Sequence, residues 1–154
     1  MPKEKFRILV FFSAFRFFYF IPLQFLGRVA ILLAMFSEAV LDHFRTPRNA
    51  GDLPGATATV EVSNPVCGDV LKLAARIENG GIAEARFLCR GCTTAIACAS
   101  LLTVQLTNCS LEDARAITPQ SLSEALGGLP PATFHAAQLT ADALTSLLKQ
   151  LSTR

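Results

Sequence analysis

Charge is scarce in this sequence. Only 17% of its 154 residues are Asp, Glu, Lys or Arg, against 51% in the hydrophobic class. Disordered chains show the opposite balance, so a packed core is expected. A formal net charge of +2 leaves no broad electrostatic footprint for nucleic acid. Cysteine is sparse too. Five thiols are too few for a disulfide scaffold at this length, and an odd count leaves at least one free. Heptads, low-complexity tracts and internal repeats are absent, and the length suits one domain of ordinary size.

What is present divides unevenly. Residues 1–34 hold eight of the twelve phenylalanines, the only tyrosine, five basic residues and one acid, Glu4, so this stretch is +4. The other 120 residues carry nine basic and eleven acidic side chains, a balance of −2. Three readings compete for the first 34 residues. A membrane anchor is opposed by Arg16, which costs ~2.5–3.5 kcal/mol at a bilayer centre, and by Pro22. The longest charge-free stretch, Phe17 to Gly27, also falls short of the ~18 residues a spanning helix needs. A targeting peptide fits the basic start at Lys3, Lys5 and Arg7, but no small-x-small cleavage site follows. The preferred reading is a true start at Met35, where composition changes abruptly. The domain is therefore expected over residues 35–154, with 1–34 a hydrophobic N-terminal extension left out of the fold reasoning.

Within the body, Phe36 to Phe44 reads as a short helix with Phe36, Val40, Leu41 and Phe44 on one face, Ser37 as its cap and Pro47 as its stop. Thr46 to Ala56 is a loop rich in Pro and Gly. Thr57–Val62, Val70–Glu78 and Ile82–Cys89 alternate as strands, and Asn79-Gly80-Gly81 marks a hairpin. From Thr93 the period becomes helical. Ala95, Ile96, Ala99, Leu102, Val104 and Leu106 surround a helix that must be buried. Short helices follow from Ser110 and over Pro119–Leu126. A last one covers about Ala132 to Leu151, with Leu139, Ala143, Leu147 and Leu151 as its stripe. The expectation is an α+β fold, a three-stranded antiparallel sheet packed against helices.

Three local features could carry chemistry. Cys67-Gly68-Asp69 lies in the turn between the first two strands, where Gly68 lets the backbone come close to whatever the thiolate binds. Cys89-Arg90-Gly91-Cys92 joins the third strand to the buried helix, whose N-terminus favours a thiolate at Cys92. His135 sits early in the last helix. Thiolate, carboxylate and imidazole are the usual protein ligands of zinc and iron. Bland alternatives stand beside each. Cys98 lies inside the apolar helix and reads as packing, Cys109 as incidental at a helix end, and Cys89 as a core residue beside Phe87. His43 and His135, taken singly, read as surface or capping residues. On spacing alone, a metal site at Cys67, Asp69 and Cys92 is an even choice against packing.

The order of these pieces resembles the NifU/IscU family of iron–sulfur cluster assembly scaffolds. The resemblance runs from about Phe36 to Leu151. Leu41-Asp42-His43-Phe44 with Pro47-Arg48-Asn49-Ala50-Gly51 is similar to the family's opening. Asn64-Pro65-Val66-Cys67-Gly68-Asp69-Val70 is similar to its first cysteine motif, Phe87 with Gly91-Cys92-Thr93-Thr94-Ala95-Ile96-Ala97 to its second, and Gly128-Leu129-Pro130-Pro131 with His135 to its third. The resemblance implies a scaffold without turnover of its own. Such a protein takes sulfur from a cysteine desulfurase, takes iron, builds a [2Fe-2S] cluster and passes it to apo-proteins. It implies ligand roles for Cys67, Asp69 and Cys92, with His135 as a nearby or alternate ligand, and zinc as an alternative occupant.

The chain departs from that pattern at two places. Ala136 stands where the family's third cysteine directly follows the histidine. Ala132-Thr133 stands where members that bind the dedicated chaperone carry Val-Lys, so recognition by that chaperone is not expected. What remains is two thiolates, a carboxylate and an imidazole. This is a full tetrahedral set for zinc or one iron and a poorer one for a cluster, although histidine can replace cysteine on one iron. Cys89 is a candidate substitute thiolate, opposed by its place on the core face. Two other functions compete: a degenerate family member holding only structural zinc, and a Cys89/Cys92 thiol–disulfide oxidoreductase, which would need a parallel strand–helix–strand frame. The protein is expected in the cytoplasm, touching membrane only if residues 1–34 do.

Overall fold

The computed structural model describes residues 36–153. The readings of residues 1–34 lie outside the described residues. Ser37 opens the first helix, α1 (Glu38–Arg45), by accepting the Val40 N–H at 3.1 Å. Glu38 in the first turn and Arg45 in the last complement the helix dipole. The Ser37 hydroxyl also donates to the Leu126 carbonyl, which ties α1 to a segment far along the chain.

Three long strands follow: β1 (Ala58–Ser63), β2 (Val70–Glu78) and β3 (Gly81–Arg90). All pair antiparallel in chain order. The β2–β3 turn needs two successive left-handed residues, and Asn79 (φ 52°) and Gly80 (φ 78°) supply them. The register sets Leu71 opposite Cys89, Leu73 opposite Phe87 and Ala75 opposite Ala85. That face is the buried one, so over Leu71–Ala75 and Ala85–Phe87 the alternation read in the sequence is that of the core; past the register shift at Arg76/Ile77 it fails, and Ile82 is buried in place of Ala83.

The sheet has four strands rather than the expected three. After α2 (Thr93–Leu106), Asn108 takes φ 59° and turns the chain into β4 (Cys109–Ser110), which pairs with Gly81 and Ile82. A two-residue strand is too short to show any alternation. Cys109 thus belongs to a strand, not to a helix end. Beyond β4's reach, the outer edge of β3 is covered by the loop after α1. Gly51 donates to the Phe87 carbonyl at 2.8 Å, and the Phe87 N–H to that of Asn49 at 3.1 Å.

The helices α3 (Leu111–Arg115), α4 (Pro119–Ala125) and α5 (His135–Ser152) complete the domain. α2 and α5 lie on the inner face of the sheet. Cys98, Leu102 and Leu106 of α2 and Leu139, Ala143 and Leu147 of α5 are buried there. Each leucine contributes roughly 1.5–3 kcal/mol by leaving water. Val104, expected in the α2 core stripe, is exposed instead. The last helix also starts later than the sequence suggests. Pro130 is extended, and Pro131–Thr133 forms a 3₁₀ turn closed onto the Pro130 carbonyl. That delay makes His135 the first residue of α5. No helix among the described residues is long and apolar enough to cross a membrane.

Candidate metal centre

The candidate centre lies at one end of the sheet, where the β1–β2 loop, the β3–α2 junction and the start of α5 meet. The loop is folded on itself by Asn64. Its side-chain oxygen accepts the Val66 N–H at 3.0 Å, its carbonyl accepts the Gly68 N–H at 2.8 Å, and its own N–H donates to the Asp69 carbonyl at 2.9 Å. Gly68 sits at φ 75°, with open space where a Cβ would be. That angle alone calls for glycine, because the turn is left-handed. The turn leaves Cys67 exposed at the rim and sends Asp69 inward, where it is only 4% exposed.

Asp69 uses its two oxygens differently. Oδ1 accepts the Cys92 N–H at 3.2 Å. Oδ2 is buried without a hydrogen-bond partner, and His135 Nε2 stands 3.9 Å from it. A buried carboxylate oxygen left unpartnered is costly, so a cation is the natural complement. His135 is oriented from behind. Its Nδ1 lies 3.1 Å from the Ala132 carbonyl, which can only accept. In the neutral ring that nitrogen carries the proton, and Nε2 turns its lone pair toward Asp69, as in metal sites where a second contact fixes the ligating tautomer.

Cys67 completes the group. One ligand atom from each of Cys67, Asp69 and His135 lies within 4.8 Å of the other two. Ligands on one tetrahedral ion stand about 3.3–3.8 Å apart, so modest side-chain rotation would close the set. The donors also fit zinc or iron in kind: one soft sulfur, one nitrogen and one hard oxygen. The Cys67 thiol titrates above its ordinary value. A backbone N–H at Asp69 pulls it down, but desolvation and the neighbouring Asp69 carboxylate outweigh that pull.

Of the four residues singled out in the sequence, Cys92 is the one whose sulfur stays outside this set. It is the N-cap of α2, and its sulfur accepts the Ala95 N–H at 3.4 Å. It joins the others through its backbone bond to Asp69. Cys89 is half-buried, and burial first, then the charges of Asp69 and Cys92, push its thiol up to about 11. Buried Cys98 is pushed up to about 12, chiefly by desolvation. Ala136 is fully buried next to His135. His43 takes no part in the centre. Its Nδ1 is 2.8 Å from Ser100 Oγ, which pins α1 to α2, and burial followed by the Arg48 charge lowers its pKa. A cleft of 460 Å³ opens beside His135, between Asn64-Pro65 and the Gln138 and Asp142 flank of α5. Two features escaped the sequence reading: the Ala132 carbonyl that orients His135, and the close packing of Gly91 on Asp69.

Fold and donor set together define an α+β domain with a mixed sulfur, nitrogen and oxygen ligand group at one end of an antiparallel sheet. Comparison with known proteins narrows this class. The profile of the NifU-like N terminal domain matches residues 35–154, and the chain belongs to that family. It is 40% identical over 110 residues to "Iron-sulfur cluster assembly scaffold protein IscU 1" of Archaeoglobus fulgidus, covering 71% of this chain and 72% of that protein. It is 39% identical over 117 residues to "Iron-sulfur cluster assembly scaffold protein IscU" of Escherichia coli strain K12, covering 73% and 91%. Among solved structures, the N-terminal NifU-like protein of Brucella abortus superposes with a TM-score of 0.64 at 15% identity. The match covers 78% of this chain and 96% of that one, and it speaks for the fold alone.

Proposed function

We propose that this chain is a non-enzymatic scaffold for iron–sulfur cluster assembly. Residues 35–154 form the scaffold domain and 1–34 an extension outside it. The cargo is iron with sulfide, built into a [2Fe-2S] cluster and passed to apo-proteins, with sulfur supplied by a cysteine desulfurase. Family membership and the two scaffold relatives support this reading. The observation that carries it to particular residues is the unpartnered, buried Asp69 Oδ2, 3.9 Å from the His135 imidazole, in a donor group that Cys67 completes.

Cys67, Asp69 and His135 are the first ligands. Cys92 joins when its sulfur leaves the α2 cap. Thiolate binds iron firmly, while a carboxylate oxygen is a hard and weaker partner for a soft cluster, so the site holds its cargo without trapping it. With Ala136 in place of a third cysteine, histidine serves the position that a thiolate would fill. The exposed Pro131–Thr133 turn carries no basic residue, which argues against recognition by a dedicated chaperone. Thiols that must stay reduced favour the cytoplasm.

The oxidoreductase alternative is disfavoured. Cys89 packs toward the core with its thiol raised to about 11, and its strand belongs to an antiparallel meander. Anaerobic addition of ferrous iron and sulfide to the full chain is expected to give sulfur-to-iron charge-transfer absorption that Cys67→Ala removes. Stoichiometric zinc with no such absorption, or a Cys67→Ala chain with unchanged metal content, would overturn the proposal.

A further inference from the structure

We infer that Gly91 is a positioning residue for the Asp69 carboxylate, its missing side chain being the space that lets Asp69 present a single oxygen to the metal group. The inference rests on the site reading above and deepens it. Six other described glycines have φ between +74° and +130°, where backbone conformation alone explains the residue. Gly91 is not among them, so its glycine must be explained by room. A Cβ built on it would stand 2.9 Å from Asp69 Oδ1, 3.0 Å from Asp69 Cγ and 3.1 Å from the Ala95 Cβ. Contacts under 3.0 Å are not tolerated, so one side must move.

The Asp69 backbone is fixed next to β2 by its bond to Asn64, and the Gly91 backbone is fixed between β3 and the α2 cap. The carboxylate is therefore what gives way. Rotating it breaks the 3.2 Å bond from the Cys92 N–H, the hydrogen bond that holds Oδ1 and leaves Oδ2 3.9 Å from His135 Nε2. Gly91 and the Cys92 N–H thus act as a seat and a clasp. Together they make Asp69 a one-oxygen ligand of fixed direction, in the way second contacts tune first ligands elsewhere.

The test is a double-mutant cycle on the full chain with Asp69→Ala, Gly91→Ala and the two combined. Zinc affinity is measured by competition with a chromogenic chelator. The visible ligand-field bands of the cobalt(II) form report coordination directly. Asp69→Ala and Gly91→Ala are each expected to weaken zinc by about tenfold or more, with the combined chain no weaker than either. The cobalt bands of Gly91→Ala should match those of Asp69→Ala. Parent-like affinity and bands in Gly91→Ala, or losses that add in the combined chain, overturn the inference while leaving the site intact. Parent-like binding by Asp69→Ala overturns the site reading and the inference with it. If Gly91→Ala alone does not fold, the combined chain decides. Recovery of folding there places the clash on the carboxylate, whereas continued unfolding places it elsewhere and sinks the inference.

Discussion

Cys67 and Cys98 carry the same side chain and lead opposite lives, because only one of them meets water. Cys67 and Cys92 are exposed, Cys89 is half-buried and Cys98 is buried. At pH 8 a thiol with a pKa near 11 is about 0.1% thiolate, and thiolate is the reacting species. Iodoacetamide at pH 8 is therefore expected to label Cys67 and Cys92 in the folded apo-protein well before Cys89, and Cys98 only after denaturation. Peptide mass spectrometry over a time course checks the order; early loss of Cys98 would contradict the packing described. At this scale the sequence was legible wherever a residue's neighbours state its environment. Cys98 is embedded in an apolar helix and reads correctly. Gly68 and Gly91 look alike on paper, yet one answers a dihedral angle and the other a neighbour 22 positions away. No local pattern separates those two causes.

The helix α2 begins on a sulfur, an unusual cap with a dual allegiance. Serine, with a better acceptor, caps helices more strongly, by about 0.5–2 kcal/mol over alanine. Cys92→Ser is expected to leave the melting temperature unchanged or raise it by up to about 4 °C, while lowering iron and zinc binding; Cys92→Ala should lower both. Calorimetry alongside metal titration tells the capping role from the ligand role. A second element-scale expectation concerns α1. The His43 pKa lies below its ordinary 6.5 in the folded state. The unfolded chain thus binds more protons between the two values, so the contribution of His43 to stability is full above pH 6.5 and falls as pH drops toward the folded pKa. Thermal melts of the full chain at pH 7.5 and 5.0 should differ, and His43→Gln should remove part of that difference. Long β2 and β3 could be read directly from the residues, although the irregularity at Arg76/Ile77 could not. β4 could not, being shorter than one alternation, nor could the late start of α5, which depends on how two prolines shape the turn before it.

The donor group draws on three stretches of the chain, held together by packing between the sheet and its helices and by the bond from the Cys92 N–H to Asp69. A bound metal adds a direct link among them. Stabilisation follows the mass-action relation, about 2.7 kcal/mol at a hundredfold excess over Kd, or about 10 °C or more in melting temperature for a domain of this size. Zinc added to the apo-protein is expected to produce that shift, and a chelator to reverse it. Hydrogen exchange should slow most at 64–69, 91–95 and 131–136. An unchanged melting temperature with metal bound would mean that the unfolded chain holds the metal as tightly as the folded one, and the assembled site would then contribute nothing. The α+β class and the order of the elements were visible in the sequence, since they follow from hydrophobic period. Which donor atoms face one another depends on register and helix entry, which emerge only once the whole chain has packed.

The graded depth of the ligands has one more consequence. Cys67 lies at the rim and Asp69 behind it, so an arriving thiolate can approach only from the outer side. Handover of the cargo should thus begin at one side, the incoming thiolate engaging beside the sulfur that faces solvent while the weak oxygen contact beneath gives way, like a latch that opens from one edge.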